Sequence, residues 1–313
     1  MKKNLTTVLL MAALVVVSCS GGKTNENRQQ AALQDTTAEN RSNVKEQHLN
    51  SFSSYAISNR TGSKFLVVGE EDLSERTDFF DKLTIAIHNG KSYRVKFSGI
   101  QQESEDENNH RHSYFNFDNL HGAIFDNLDG QLLPPDASEY DGVFETILLV
   151  NQTFLNENKL IPFTQYEWEK ADENSVKALE EHYKRKVMSA YKAISFDKNE
   201  RNIFVSAQFE NKDDEALGVY MVETSYGQRA FAEFPATIER NEEGYAMSVW
   251  QVDDDGTFSA PDITAVFKQR DNYRFLVNEF NAESVNAYFI SLYDDKLLPD
   301  DPKNWHSRYV API

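Results

Sequence analysis

Three histidines beside an acidic run form the first pattern that could do chemistry. His110 and His112 are separated by one residue, His121 follows closely, and the acidic run 103–107 precedes them. On a strand, side chains at i and i+2 share a face, so two imidazoles would be placed as transition metals accept them. The sequence offers no fourth ligand, and a solvated polar loop explains the same residues. His110, His112 and His121 are therefore metal candidates without a complete ligand set, and we expect no resident cofactor.

A second pattern, Asp253-Asp254-Asp255-Gly256, resembles part of a calcium-binding loop. An EF-hand in this register would need an aspartate where Gln251 stands, and helices on both sides. An Asp-Gly hairpin turn accounts for the same residues without a metal. We interpret the pattern as a turn.

The short motifs of common enzyme classes are absent from the sequence. It contains no G-x-S-x-G, H-E-x-x-H, G-x-G-x-x-G or P-loop. A glycosidase-type carboxylate pair depends on spatial separation, so it cannot be located among the 50 Asp and Glu residues. This favours a non-enzymatic protein that binds or scaffolds an envelope protein or a glycan. A lipid-anchored hydrolase acting on glycans is the alternative, and a metal or cation carrier using the histidine region is another.

Aromatic residues offer a further means of binding. The chain has 21 Phe, 14 Tyr and 3 Trp. Trp168, Trp250 and Trp305 could line a ligand groove, as aromatic side chains often do. The other interpretation is that they fill or cap the core.

The only cysteine follows an apolar segment near the start of the chain. Two lysines after Met1 precede the apolar run from Leu5 to Val17, which is shorter than the roughly 20 residues of a spanning helix and fits a signal peptide. The run ends in Val16-Val17-Ser18-Cys19, which resembles the lipobox of bacterial lipoproteins.

This resemblance, confined to residues 1–22, implies cleavage before Cys19 and a diacylglycerol on its sulfur. An acyl chain such as palmitate would be added to the new amine, and several chains anchor a protein stably. Ser20 after the cysteine favours the outer membrane of a Gram-negative cell, with the periplasmic or surface face left open. A single cysteine forms no internal disulfide.

Charge and composition separate a polar tether from a folded body. The formal charge of −18 becomes −20 when Lys2 and Lys3 leave with the signal peptide, so nucleic acid would be repelled. Residues 20–50 contain few large apolar side chains and many Asn, Gln, Ser and Thr. Such a segment buries too little surface to offset its ordering entropy. We therefore expect a flexible tether over 19–55.

Alternating apolar residues predict strands from there onward. Asn89-Gly90 lies between two alternating segments and predicts a hairpin. Further strands are predicted at 203–209, 218–223, 246–252, 263–268 and 273–280. A three- and four-residue spacing of apolar residues from Val176 to Ile194 predicts one long amphipathic helix over Asn174–Ile194.

Two segments resemble each other at an offset of 165 residues. Residues 115–136 and 280–301 share seven of 22 positions, including an initial Phe-Asn and a final Leu-Leu-Pro. We therefore predict an α+β, β-rich fold in which two duplicated antiparallel β units are joined by the long helix. The predicted boundaries are a signal peptide at 1–18, the tether at 19–55, an N-terminal unit at 56–165, a connecting helix at 166–195 and a C-terminal unit at 196–313.

Overall fold

Short alternating apolar runs, separated by turn residues, make strands the dominant element of the fold. A computed structural model describes residues 52–69, 72–104, 108–132, 146–250, 256–281, 284–300 and 305–308. They belong to one compact unit, Leu49–Ile313.

Six antiparallel strands close into a small barrel in the order β1-β2-β5-β4-β3-β6. Its strands are β1 (Ser53–Ser58), β2 (Lys64–Val68), β3 (Ile85–His88), β4 (Lys91–Gln101), β5 (Gly122–Asn127) and β6 (Thr146–Val150). The 3-10 turn Leu73–Arg76 and α1 (Thr77–Phe80) deliver Phe80 into the core, where it contacts Phe97 and Phe125. Because β1 and β3 both pair with β6, no strand of this barrel is left as an edge.

The predicted Asn89-Gly90 hairpin is confirmed. β3 pairs with β4 in antiparallel register, and both turn residues have positive φ angles, 44° for Asn89 and 70° for Gly90. Two left-handed central residues match the twist of the flanking strands, and asparagine and glycine adopt that conformation most readily. The turn also joins the barrel to the rest of the molecule, because the Gly90 amide donates to the carbonyl of Thr264 (2.8 Å).

The remaining strands form an eleven-stranded sheet, which we call the large sheet, and a separate two-stranded ribbon. The sheet contains β7 (Lys159–Ile161), β8 (Phe163–Gln165), β9 (Val187–Phe196), β10 (Asn199–Phe209), β11 (Glu215–Glu223), β12 (Arg229–Thr237), β15 (Asp262–Gln269), β16 (Asn272–Asn281), β17 (Ser284–Tyr293), β18 (Lys296–Pro299) and β19 (Trp305–Arg308). Its order is β7-β15-β16-β17-β18-β12-β11-β10-β9-β8, with β19 also paired to β17. The ribbon pairs β13 (Glu239–Arg240) with β14 (Ala246–Ser248).

The large sheet nearly closes on itself. Its first and last strands, β7 and β8, are separated in the chain only by Pro162. β15 pairs with β7 and β8 pairs with β9, while the Gln165 side chain bridges β8 to Asp262 (3.1 Å) and to the carbonyl of Ile263 (3.3 Å). We call this junction between β8 and β15, closed by a side chain and not by a strand ladder, the seam. Buried aromatic and aliphatic side chains fill the interior of the sheet.

Apolar contacts join the barrel to the outer face of the large sheet. Phe154, from α2 (Gln152–Glu157), packs with Phe267 and Phe289 of the sheet and with barrel residues. Arg274 lies within this junction and donates to Asn158 (3.0 Å), Ser291 (3.2 Å) and Asp300 (2.5 Å). The guanidinium and the carboxylate are only 8% and 10% exposed, so each needs the other.

The predicted α+β class with one long connecting helix is wrong. The helix that forms, α3 (Glu173–Tyr183), is capped by Asp172 and ends at Lys184, whose φ of 51° is left-handed. The second half of the predicted helix is β9. Register shifts in its pairing with β10 let Val187 and Ala190 face the same apolar cluster, while Ile194 faces the interior. Such β-bulges produce three- and four-residue spacings that imitate a helix.

The predicted duplication is also wrong. β3 and β4 form a hairpin, but β14 pairs with β13, and β15 pairs with β7 and β16, so no matching hairpin surrounds Gly256 in the described part of the chain. Phe115 lies in a turn, whereas its supposed counterpart Phe280 lies in β16. Leu133 and Pro134 lie outside the described residues. The two units differ in strand number and topology.

Four of the predicted C-terminal strands are confirmed by β10, β11, β15 and β16. The prediction for 246–252 is shorter in the structure, where β14 covers Ala246–Ser248. At the end of the predicted tether, Ser53–Tyr55 belong to β1.

Candidate binding surface

The histidines of the metal hypothesis have different partners. His110 is exposed, with Nδ1 3.5 Å from Oε1 of Glu103. The ring of His112 stacks on Trp305, and its Nδ1 lies 2.5 Å from the Ser307 hydroxyl. The backbone carbonyl of His121 accepts from Gly69. Within the described ranges, no three His, Cys, Asp or Glu side chains are grouped to hold a metal ion.

Two further sequence-predicted features lie outside the described residues. They are the lipidation candidate Cys19 and the aspartates of the Asp253–Asp255 run. For the hydrolase alternative, none of the described Asp or Glu residues belongs to the buried set. That alternative therefore still has no named carboxylates.

The three tryptophans occupy different environments. Trp250 packs against the interior of the large sheet, and its Nε1 donates to the carbonyl of Phe234 (2.9 Å). Trp305 stacks on Tyr55 of the barrel, with ring centroids 5.9 Å apart. Trp168 is 69% exposed. Two of the three thus support packing, and one is presented to solvent.

Backbone contacts fix the position of Trp168 beside the seam. The segment 166–171 continues from β8 along β9, where Tyr166 donates to Ala193 (2.9 Å) and Ala171 donates to Ala190 (3.0 Å). Between these two bonds Trp168 has a φ of 56°, a left-handed conformation that is unusual for a bulky residue. Its ring meets Tyr191 at 5.6 Å and 88°, which is an edge-to-face contact. Neighbouring structure therefore holds an exposed indole in one place.

Neutral hydroxyl groups lie next to this indole on the inward face of the large sheet. In the strand register, Ser206 of β10 lies directly between Tyr191 of β9 and Tyr220 of β11, and paired residues share a face. Ser189 pairs with Gln208 on the same face. The Ser206 side chain is 1% exposed, and its hydroxyl has no hydrogen-bond partner among the described residues. We call Trp168, Ser189, Tyr191 and Ser206 the Trp168 surface.

The rest of this end of the interior is filled by residues 256–261. The Gln208 amide fixes the segment by donating to the Gly256 carbonyl (2.7 Å) and accepting from the Phe258 amide (3.0 Å). The Phe258 ring lies against Gly218, at centroid distances of 5.1 Å from both Tyr220 and Trp250. Gln208 and Tyr220 are thus already engaged, whereas Ser206 is not.

The opposite face of β9 carries an internally paired charge at Lys192, beside the apolar cluster that includes Ala190. Lys192 forms an ion pair with Glu169, and its ammonium lies 3.8 Å from the centroid of the Tyr166 ring. Burial works against the charged lysine, but the bond to Glu169 and the nearby Tyr166 and Glu200 together raise the pKa of Lys192. The Tyr166 hydroxyl donates to Glu200 (2.8 Å) and lies 3.0 Å from that of Ser195. Ser195 and Glu200 also belong to the lining of a small depression formed by residues 162–164, 195 and 198–200.

No family model, no curated protein and no solved structure matches this chain. The sequence predicts Trp168 as a candidate for lining a ligand groove, but it contains no signal that indicates Tyr191 or Ser206. Their association with Trp168 arises from strand register and from the docking of 166–171 on β9, which are tertiary features.

Proposed function

We propose that the protein is a lipid-anchored binding module of the bacterial cell envelope, and that it holds its partner through the Trp168 surface. The observation that carries this proposal is the exposed, backbone-fixed indole of Trp168. The lipobox-like ending at Cys19 supports the anchor, and the absence of common catalytic motifs favours binding over catalysis.

The left-handed backbone and the exposed side chain of Trp168 both lower the stability of the folded chain. A left-handed backbone costs a non-glycine residue roughly 1–2 kcal/mol. Leaving a large apolar side chain in water forgoes about 1.5–3 kcal/mol of burial free energy. Strained residues that the surrounding structure holds in place tend to cluster at ligand-binding positions. A partner that covers the indole would recover the burial term.

The anchor accounts for how such a module stays at the membrane. No helix in the described ranges is long and apolar enough to cross one. The proposed diacylglycerol and further acyl chain on Cys19 would supply stable attachment, since each buried methylene contributes about 0.8 kcal/mol. We place the protein at the outer membrane of a Gram-negative cell, because Ser20 follows the cysteine.

Retention on the envelope tests the binding function separately from the anchor. The mature chain carrying Cys19→Ser, which cannot be acylated, is mixed with delipidated envelope fragments of the source bacterium and sedimented. We expect it to co-sediment, and Trp168→Ala to remove most of the bound fraction. The matched control is Tyr245→Ala, because Tyr245 is 68% exposed and lies far along the chain beside the β13–β14 ribbon.

Equal sedimentation of the Trp168→Ala and Tyr245→Ala variants would overturn the proposal for the Trp168 surface. The anchor is tested in cells with Cys19→Ala in the full-length precursor. This variant should lose acyl label and leave the membrane fraction; continued acylation would contradict the assignment of Cys19.

A further inference from the structure

We infer that the ligand of the Trp168 surface is an uncharged saccharide, an inference that rests on the proposed binding function. It is carried by the side-by-side placement of an exposed indole, half-buried hydroxyl groups and a buried hydroxyl without a partner.

The indole provides the apolar half of the recognition. An aromatic ring carries negative charge on its faces, which attracts the weakly positive C–H groups on one side of a sugar ring. The edge-to-face contact with Tyr191 restrains the indole of Trp168 and still leaves 69% of the residue exposed. A saccharide could therefore stack on an indole that is ordered before binding, so that binding would cost less conformational entropy.

The hydroxyl groups provide the polar half. Ser189 and Tyr191 are half-buried on the same face, and Ser206 lies next to Tyr191 across the strand pair. A buried hydroxyl without a partner loses about 1–3 kcal/mol relative to water. Ser206 is the cross-strand neighbour of Tyr191, so a ligand hydroxyl that enters beside the Tyr191 ring would give Ser206 a partner.

Charge selects a neutral ligand over an anionic one. The four groups of the Trp168 surface are uncharged, and Lys192 and Glu169 pair with each other on the other face of β9. The exposed Lys170, which is the bridge partner of Tyr191, lies on the same face as Tyr191. Trp168 itself stands between Glu167 and Glu169 in a chain whose formal charge is −18. Lys170 and Glu167 offset each other beside the surface, so the net negative charge of the chain still disfavours an acidic polysaccharide. A neutral saccharide gains its hydrogen bonds without this cost.

Titration calorimetry of the mature Cys19→Ser chain tests the inference. The probes are uncharged hexasaccharides of α-1,4-glucose, β-1,4-glucose and β-1,4-N-acetylglucosamine, with hexagalacturonate as the anionic comparison. We expect at least one neutral probe to bind at least about 10-fold more tightly than hexagalacturonate, a difference of about 1.4 kcal/mol. Trp168→Ala should weaken that binding at least about 10-fold, Ser206→Ala about 3-fold, and Tyr245→Ala should leave it unchanged.

Circular dichroism of each variant confirms that the fold is retained. Preference for hexagalacturonate, no binding of any neutral probe, or unchanged binding by Trp168→Ala would each overturn the saccharide inference. If those results came with a loss of envelope retention in Trp168→Ala, the binding function would stand with a partner of another class. If retention were also unchanged, both proposals would be wrong.

Discussion

The small barrel and the large sheet differ in whether their first and last strands pair with each other. The barrel closes completely, because β6 pairs with both β1 and β3. The large sheet is not closed by strand pairing, and the Gln165 side chain bridges the seam between β8 and β15. The exposed tryptophan of the molecule lies beside that seam.

This difference indicates that the barrel and the large sheet have different roles. A closed barrel pairs all of its strands internally and leaves no strand edge open to its neighbours. Beyond the end of β8, the segment 166–171 continues along β9 and displays Trp168 at its bend. The barrel therefore acts as a support, joined to the sheet at the apolar junction around Phe154, and the sheet carries the candidate binding surface. The following variants test this difference in roles, from the largest expected effect to the smallest.

Breaking the buried ion pair of the large sheet, beside its junction with the barrel, should have the largest effect. Arg274→Ala leaves the Asp300 carboxylate without its partner and removes bonds to Asn158 and Ser291. We expect a loss of about 3–5 kcal/mol in the free energy of unfolding, measured by urea denaturation. The double variant Arg274→Met with Asp300→Leu removes both charges and should recover much of the loss. A single variant as stable as the wild type would show that this buried ion pair does not stabilise the sheet beside the barrel.

Acid should weaken a second contact between the two regions. His112, from the loop between β4 and β5, packs on Trp305 and Ser307 of β19. Burial, with a smaller contribution from the positive charge of His306, lowers the pKa of His112 from 6.5 to about 4. The unfolded chain therefore binds a proton at a higher pH than the folded chain does.

The resulting stability change has a definite sign. Above about pH 6.5 His112 causes no loss in the free energy of unfolding. Below that pH the loss grows as pH falls towards 4, reaching up to about 3 kcal/mol. Urea denaturation across this range should show a flatter pH dependence for His112→Gln than for the wild type. Parallel curves would mean that His112 is not responsible.

Crowding the filled end of the large sheet should have an intermediate effect. A Cβ on Gly218 would lie 2.4 Å from Cδ2 of Phe258, which is far closer than carbon atoms approach. Gly218→Ala should therefore displace the ring and cost about 1–3 kcal/mol of unfolding free energy. Adding Phe258→Leu should restore part of the loss, because the smaller side chain makes room. Failure of this rescue would show that Phe258 is not the obstacle.

Removing the exposed indole should affect stability least. Trp168→Ala replaces a side chain that makes few buried contacts, so the free energy of unfolding should change by less than about 0.5 kcal/mol. The same variant should lose most of its envelope retention. A large destabilisation, with binding intact, would assign Trp168 to the fold and not to a ligand.

Local signals were sufficient for part of the fold. Asn89-Gly90 predicts its hairpin because the conformation of two residues decides the turn. The strands β10, β11, β15 and β16 follow from their own alternation and apolar content. The helix prediction was wrong for β9 because register shifts, set by its partner β10, changed the spacing of the buried residues.

The candidate site could be predicted only in part. Tryptophan as a ligand-binding type was available from the sequence, but exposure separates Trp168 from Trp250 and Trp305 only after folding. Ser206 becomes a candidate only through the pairing of three strands, which places it between two tyrosines. Its hydroxyl has no hydrogen-bond partner among the described residues. Non-local register of this kind has no signature in a single segment.

The most direct test of the account observes the three tryptophans separately. The mature Cys19→Ser chain is labelled with 5-fluorotryptophan, its three fluorine resonances are assigned by Trp→Phe variants, and the preferred neutral hexasaccharide is titrated in. The account predicts that the resonance of Trp168 shifts in proportion to occupancy, while those of Trp250 and Trp305, which pack in the interior and at the barrel, stay in place. An unmoved Trp168 resonance at saturation, or a shift confined to Trp250 or Trp305, would contradict it.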